Sequence, residues 1–513
     1  MHCIKKRAAI LIIGLIVFCS TSIAIPLQEE GEGVMIGTYH KIFSKILNEE
    51  RTLLVHLPGN YDSTSLDYPV LFMLYGNQVT TYFAQTVAVL DRLGSTGGMP
   101  EMLLVAITNT DRYRDLLPLR PDGSPTGIEN FVRFFKDELI PYVETRYRAK
   151  DYRVLMGPQA GANFGLYTLF EHPELFQAAI INNPFRWQGG RDLVFQNARD
   201  FLQSRKSFNK FLSITYEDGD ELAKEGAAYV DRFATLVSNQ EIRGFRLHLN
   251  YIKDNDEFIQ PMGLRSGLKS LFQEYPFPED REVNALSDIL DFYQGLSDAY
   301  GFPVDAPGHV LTMQIYKLLD RGKRAEGVEA VKYLRANYPR SANAYMILAN
   351  LAMQDGELEK ALEGYQKMVE ILPSDVGGIQ GRIDMLERRI SYSAAYAVEK
   401  EIRRAGIAAG LERFRVLQEA GKPEPYFDER EFNELGYRLL GQGQMADAIE
   451  VFKLGVELYP KSANGYDSLA EACMKNGQNE LAIKNYEKSL ELNPENQNAR
   501  DMLKKLRKSR HDI

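Results

Sequence analysis

The chain has 513 residues, of which 44% are hydrophobic and 26% are charged, as is typical of a folded protein with about two to four domains. Its net charge of −9 argues against nucleic-acid binding, which depends on Lys and Arg residues that neutralise phosphates. Of three cysteines, Cys3 and Cys19 lie in an N-terminal leader and only Cys473 follows it. We therefore expect no internal disulfide, no metal site and no cofactor.

The N-terminus has the organisation of a signal peptide. Lys5, Lys6 and Arg7 precede an apolar stretch over residues 8–19, and small residues precede Ala24. This pattern predicts a signal peptide over residues 1–24 and an exported protein, periplasmic or extracellular. The alternative is an uncleaved leader that anchors the protein in a membrane.

Residues 33–275 alternate short apolar runs with longer amphipathic segments. Strands are predicted at 51–57, 68–74, 102–108, 152–156, 176–181, 211–216 and 245–252, and helices at 127–146 and 164–170. This alternation indicates an α/β domain whose parallel sheet is covered by helices on both faces. Residues 276–308 read as a helical linker, with one helix from Ala285 to Tyr300.

Residues 309–510 are helical and self-similar. Segments that begin at Tyr345, Phe432 and Tyr466 share one internal spacing of Leu, Ala or Gly, aromatic and Pro residues. Pro339 and Pro373 are 34 residues apart, as are Pro460 and Pro494, which is the tetratricopeptide period. We expect an all-α helical solenoid with a degenerate first repeat over 311–339, an interruption over 377–421 and a polar capping helix over 498–510.

Several motifs in the α/β region resemble the putative-esterase family, which includes enterochelin esterases and S-formylglutathione hydrolases. They occupy residues 107–116, 122–127, 138–143, 152–157 and 171–176, in the family's order. The resemblance covers residues 33–275 and implies an α/β-hydrolase sandwich with a Ser-His-acid triad. Such a triad places its Ser in Gly-x-Ser-x-Gly, on a tight turn from strand to helix.

The triad that the resemblance implies is incomplete in this chain. Gly157–Gly161 reads Gly-Pro-Gln-Ala-Gly, so Gln159 stands at the Ser position, and an amide cannot form an acyl-enzyme. Glu257 stands at the His position. The acid can survive as Asp218, Asp220 or Glu221, but an acid alone has no imidazole to orient. We therefore expect no catalytic residue.

A ligand pocket can outlast the lost triad. Its candidate residues are Gly76, Asn77, Gln159, Ala160 and Trp187, because the family places its oxyanion donors and pocket mouth there. We hypothesise a hydrogen bond between Gln159 and Glu257; the alternative is that both only fill space. The charged loop over 111–115 either contacts a polar ligand or pairs with itself.

The repeats predict a concave, peptide-binding groove. Counting along the first helix of each pair gives Met346, Asn350, Met353, Asn433, Tyr437, Leu440, Asp467, Glu471 and Met474. Because this set holds no Lys or Arg, it favours an extended or helical peptide over a clamped terminal carboxylate. The alternative is that the hydrolase domain or the 377–421 segment fills the groove.

Three hypotheses follow for the function. The first is an exported, non-catalytic scaffold that binds a protein or peptide through its repeats. The second is a carboxylic ester hydrolase of the enterochelin-esterase type with an unusual site. The third is a small-molecule binding module whose repeats engage a partner. Gln159 and Glu257 favour the first and third over the second.

Overall fold

The computed structural model describes residues 35–75, 79–108, 110–186, 188, 190–253, 258–373, 378–420 and 427–511. The chain divides into two compact units, Met1–Ala344 and Tyr345–Ile513.

An eight-stranded sheet forms the centre of the first unit. Its strands are β1 (Thr38–Ser44), β2 (Glu49–His56), β3 (Tyr68–Met73), β4 (Leu103–Ile107), β5 (Ala149–Pro158), β6 (Ala178–Asn182), β7 (Ser207–Tyr216) and β8 (Arg243–Tyr251). Their spatial order is β1-β2-β4-β3-β5-β6-β7-β8. The pairs β1–β2 and β2–β4 are antiparallel and the other pairs are parallel. The predicted strands are confirmed, and β1 is an additional edge strand.

Helices cover both faces of this sheet. They are α1 (Ala84–Ser95), α2 (Arg112–Asp115), α3 (Ile128–Phe134), α4 (Ile140–Arg146), α5 (Ala160–Glu171), α6 (Arg191–Gln203), α7 (Glu221–Ser238) and α8 (Ile259–Leu271). The strands β3, β4 and β6 are buried at every position, which explains their continuous apolar sequences. A cluster of phenylalanines, including Phe72, Phe131, Phe135, Phe164 and Phe176, fills one side of the core.

Three further helices complete the first unit: α9 (Leu286–Tyr300), α10 (Gly308–Asp320) and α11 (Arg324–Asn337). The segment between α9 and α10 packs on the sheet, since Phe302 lies 4.2 Å from the Tyr152 ring. Lys150 also forms a 2.7 Å ion pair with Asp305. The hairpin α10–α11, which contains the degenerate first repeat, therefore belongs to the same compact unit as the sheet.

The remaining helices are α12 (Ala342–Gln354), α13 (Leu358–Ile371), α14 (Ile379–Tyr392), α15 (Ala394–Ala405), α16 (Ile407–Glu419), α17 (Glu429–Gly441), α18 (Met445–Leu458), α19 (Ala463–Lys475), α20 (Asn479–Leu492) and α21 (Gln497–His511). Antiparallel pairs form at α12–α13, α15–α16, α17–α18 and α19–α20, and α21 packs on α20. The interruption predicted over 377–421 therefore consists of the single helix α14 and an additional hairpin.

One turn recurs inside the repeats. Gly322, Gly356, Gly443 and Gly477 each have a φ between 70° and 80°, a left-handed conformation that favours glycine. Each donates its backbone N–H to a carbonyl three residues earlier, and the next residue donates to a carbonyl five residues earlier. This is a common way to end a helix. Its recurrence at Gly322 shows that the degenerate first repeat has the same turn as the others.

Candidate functional site

The turn between β5 and α5 has the geometry of a nucleophile turn, although it carries an amide. Gln159 has φ 52° and ψ −112°, a backbone conformation that residues other than glycine rarely adopt. Its N–H donates to the Asn182 carbonyl at 2.8 Å, and its own carbonyl accepts from the N–H of Ala162 at 2.9 Å. The adjoining β6 and the first turn of α5 thus hold this conformation.

Glycine is required beside the turn because the strand and the helix nearly touch. A β-carbon on Gly157 would lie 2.6 Å from the carbonyl carbon of Gly161, which is too close for any larger residue without backbone movement. Ala160 begins α5 and is buried, and the N–H of a first helical residue has no acceptor within its helix. The backbone at Gln159 and Ala160 therefore forms a tight turn from strand to helix, of the kind that carries the nucleophile in α/β-hydrolases.

A fourth carboxyl, that of Glu217, is buried at the end of β7 beside the three candidate acids named from the sequence. Glu217 is only 3% exposed, its Oε1 accepts from Asn183 Nδ2 at 3.0 Å, and burial raises the pKa of its carboxyl. Arg186 lies 3.4 Å from the same oxygen. Glu217 directly follows the strand, and this place at the carboxyl edge of the sheet is a signal that could have added it to the candidates.

The three named acids have other partners. Asp218 accepts a 2.8 Å hydrogen bond from the Tyr251 hydroxyl. Asp220 caps α7, and the N–H of Ala223 lowers the pKa of this carboxyl; Asp220 also pairs with Arg186. Glu221 is exposed and forms a 2.7 Å ion pair with Lys224. These contacts orient a helix and a loop.

The described imidazoles in the first unit contact residues other than Gln159. His40 hydrogen-bonds to Tyr147, His56 to Asp91, His172 to Glu129 and His248 to Ser266, and His309 lies against Gly97.

His248 and Ser266 require a closer look, since their 2.9 Å contact joins a hydroxyl to an imidazole. His248 lies in β8, three strands from β5 in the sheet order, which corresponds to about 14 Å. Across the sheet, Asn250 is aligned with Thr215, Asn182 and Pro158. His248 lies two residues before Asn250 on its strand. This pair is therefore remote from the turn at Gln159.

Four of the residues predicted for the site lie outside the described residues: Gly76, Asn77, Trp187 and Glu257. The hypothesised hydrogen bond between Gln159 and Glu257 consequently stays a hypothesis. Tyr75, which precedes Gly76, is described and has a φ of 65°. Its hydroxyl accepts from Arg112 Nε at 3.3 Å, and burial raises the pKa of this phenol.

The charged loop over 111–115 pairs largely with itself and with β2. Asp115 and Arg51 are both fully buried and 2.8 Å apart. Arg114 contacts Asp115 at 2.7 Å and Glu49 at 2.7 Å, and Asp111 caps α2 through the N–H groups of Tyr113 and Arg114. The alternative of a self-paired loop therefore describes these residues, while Arg112 contacts Tyr75 as above.

No group of three or more His, Cys, Asp or Glu side chains in the described part of the chain is placed to hold a metal ion. None of its helices combines the length and the apolar character needed to cross a membrane.

The polar residues predicted for the peptide groove are held by neighbouring helices. Asp467 accepts from Asn496 at 2.9 Å and from Asn498 at 2.8 Å. Tyr437 donates to Glu471 at 3.0 Å, and Glu471 also forms a 2.7 Å ion pair with Lys475. Their first role is thus to join successive helices of the array.

The other groove candidates vary in exposure. Asn350 accepts a 2.6 Å hydrogen bond from Tyr365 and a 3.3 Å bond from Arg382 of α14, so the interrupting segment reaches this face. Leu440 is buried in the core. Met353 and Met474 pack against the cores of their hairpins, and Met346 and Asn433 are half-buried.

Comparison with known proteins agrees with this architecture. Residues 44–257 match the model of the family described as putative esterase, and residues 312–376 and 463–496 match tetratricopeptide-repeat models. The resemblance inferred from the motifs is thereby confirmed: an esterase-like α/β domain precedes tetratricopeptide repeats.

Individual relatives are more distant. The uncharacterized protein YjcH of Bacillus subtilis (strain 168) is 34% identical over 157 residues, which cover 28% of this chain and 60% of the relative. This chain therefore spans less than two thirds of that protein. An IroE-like serine hydrolase from Shewanella oneidensis shares the fold, with a TM-score of 0.50 and 22% identity over 58% of this chain and 98% of that one. An uncharacterised protein from Capnocytophaga ochracea has a TM-score of 0.46 and 18% identity over 68% and 99% of the chains.

Proposed function

Starting from an esterase-like domain joined to tetratricopeptide repeats, we propose that this protein is an exported, non-catalytic scaffold that binds a partner protein. The observation that carries the proposal is Gln159 in the backbone conformation of a nucleophile turn. An amide side chain has no removable proton near neutral pH, so it cannot attack a carbonyl carbon.

The surroundings of Gln159 support the same conclusion. Four imidazoles of the first unit, those of His40, His56, His172 and His248, hydrogen-bond to residues other than Gln159. The buried Glu217 is bound by Asn183 and lies near Arg186. The acid of a hydrolase triad orients an imidazole, whereas this carboxyl accepts from an amide. The side chains at the carboxyl edge of the sheet thus have a structural role: they stabilise loops and do not take part in a reaction.

Protein binding is the role that the repeats support. Tetratricopeptide repeats generally mediate protein–protein interactions, and two family models match this part of the chain. The N-terminal sequence supports export as part of the proposal.

Hydrolysis of p-nitrophenyl acetate by the purified full chain tests the proposal. We expect a rate equal to the buffer background, and the same rate for Gln159→Ala. A turnover above background that disappears in Gln159→Ala would contradict the proposal. The double variant Gln159→Ser, Glu257→His provides a positive arm, since a gain of activity there would show that the turn still supports acyl transfer.

A small-molecule binding module is the second candidate, favoured by the preserved backbone at Ala160. An aromatic boronic acid or a short-chain carboxylate, titrated by calorimetry, distinguishes it from the scaffold. Saturable binding that is lost in Gln159→Ala would favour this second candidate.

A further inference from the structure

Helix α14 differs from its neighbours because it stands alone between the hairpins α12–α13 and α15–α16. It packs on α13 through one stripe, in which Ile383 is 4% exposed and Leu386 is fully buried. A helix that buries a single stripe is expected to have a polar outer face.

The outer face of α14 is instead partly apolar. Met385 is 49% exposed and Tyr392 is 40% exposed. Arg388 lies between them, three residues after Met385 and four before Tyr392, so all three share one face of the helix. We call these three residues the α14 stripe. Two large apolar side chains therefore lie exposed on the face opposite the core, where they are available to a partner.

The positive charge of Arg388 distinguishes this stripe from a purely apolar surface. The other arginines near it are engaged: Arg382 donates to Asn350 and Tyr365, and Arg389 lies 3.8 Å from Glu431. Within the described chain, no carboxylate pairs with the exposed Arg388. Arg and Tyr are among the residue types that contribute most to binding energy at protein interfaces, and here they flank an apolar side chain on one face.

We infer that the α14 stripe binds an acidic amphipathic helical segment of a partner protein. Apolar residues of this segment would cover Met385 and Tyr392, and a carboxylate would pair with the Arg388 guanidinium, which can bind both of its oxygens. The inference rests on the proposed protein-binding function and assigns it to the helix that interrupts the repeats. The polar residues of the groove face contribute less, because they are bound within the array.

Fluorescence anisotropy with two labelled peptides tests the inference on the full chain. One peptide is helical, with leucines on one face and glutamates along its margins, and the other has lysines in place of the glutamates. We expect the glutamate peptide to bind at least about tenfold more tightly than the lysine peptide. Arg388→Glu should reverse this preference, and the double variant Met385→Ser, Tyr392→Ser should weaken both peptides.

Arg413→Glu is the matched control, since it reverses the charge of another exposed arginine, on α16. Equal binding of the two peptides, or equal effects of Arg388→Glu and Arg413→Glu, would overturn the inference. So would a dimer of the wild-type chain that Arg388→Glu dissociates in sedimentation, because the stripe would then join two copies. Ester hydrolysis plays no part in this assay, so its result is separate from that of the catalytic test.

Discussion

Replacing Glu101 by Gln should change how the stability of the first unit depends on pH. Glu101 is partly buried beside Asn60 and Asp91, and its carboxyl also faces the phenols of Tyr275 and Tyr338. Burial raises the pKa of this carboxyl from 4.5 to about 7. Such a shift corresponds to about 3 kcal/mol of unfolding free energy.

The sign follows from which state holds the proton. Below pH 4.5 the Glu101 carboxyl is protonated in both the folded and the unfolded chain. Between pH 4.5 and about 7 only the folded chain keeps the proton, so the free energy of unfolding falls by about 1.4 kcal/mol per pH unit. Above pH 7 this contribution is constant. Glu101→Gln removes it, and the variant should be more stable than the wild type at pH 8 by up to about 3 kcal/mol.

Urea unfolding followed by tryptophan fluorescence measures this effect. The only Trp of the chain, Trp187, belongs to the unit that contains Glu101, so its signal reports on that unit. The difference in unfolding free energy between variant and wild type should grow from pH 4.5 to 7 and then stay level. Glu241→Gln, at an exposed position, should give a difference that is constant with pH. A constant difference for Glu101→Gln would refute the reasoning.

Three further substitutions test other parts of the first unit by the same measurement. Asp115→Ala should lower the unfolding free energy by about 3 kcal/mol, because it removes the buried partner of Arg51; a loss below about 1 kcal/mol would contradict this role. Gly157→Ala should destabilise by about 2 kcal/mol, since its β-carbon would press on Gly161, and an unchanged midpoint would show that the strand and helix can separate. Gln159→Gly should stabilise by about 1 kcal/mol, because glycine adopts a φ of 52° without strain; destabilisation would show that the amide side chain makes stronger contacts than the backbone strain costs.

The fold was predictable wherever the pattern is local. The apolar runs of β3 and β4 are continuous because both faces of these strands are buried. The period of 34 residues and the turn glycines identified the repeats before any contact was known. Strand β1 escaped prediction because an edge strand has one neighbour and most of its side chains face solvent, which leaves a weak apolar pattern.

The candidate site was predictable at Gln159 and less so elsewhere. The glycines on either side of Gln159 mark the turn in the sequence itself, because the close approach of strand and helix excludes larger residues. The sequence named Asp218, Asp220 and Glu221 as candidate acids, and only the structure shows that the neighbouring Glu217 is the buried carboxyl at the end of β7. Glu217 contacts Asn183 and Asp218 contacts Tyr251, which lie 34 and 33 residues away along the chain. Sequence spacing does not encode such contacts.

The sequence by itself determined the α/β domain, the repeats and the amide at the turn, since each depends on residues close together along the chain. The tertiary structure decided which carboxyl is buried, which groove residues are already bound, and that α10–α11 forms one compact unit with the sheet. These features depend on the packing of distant segments, where burial and the competition between partners set the energy of each side chain.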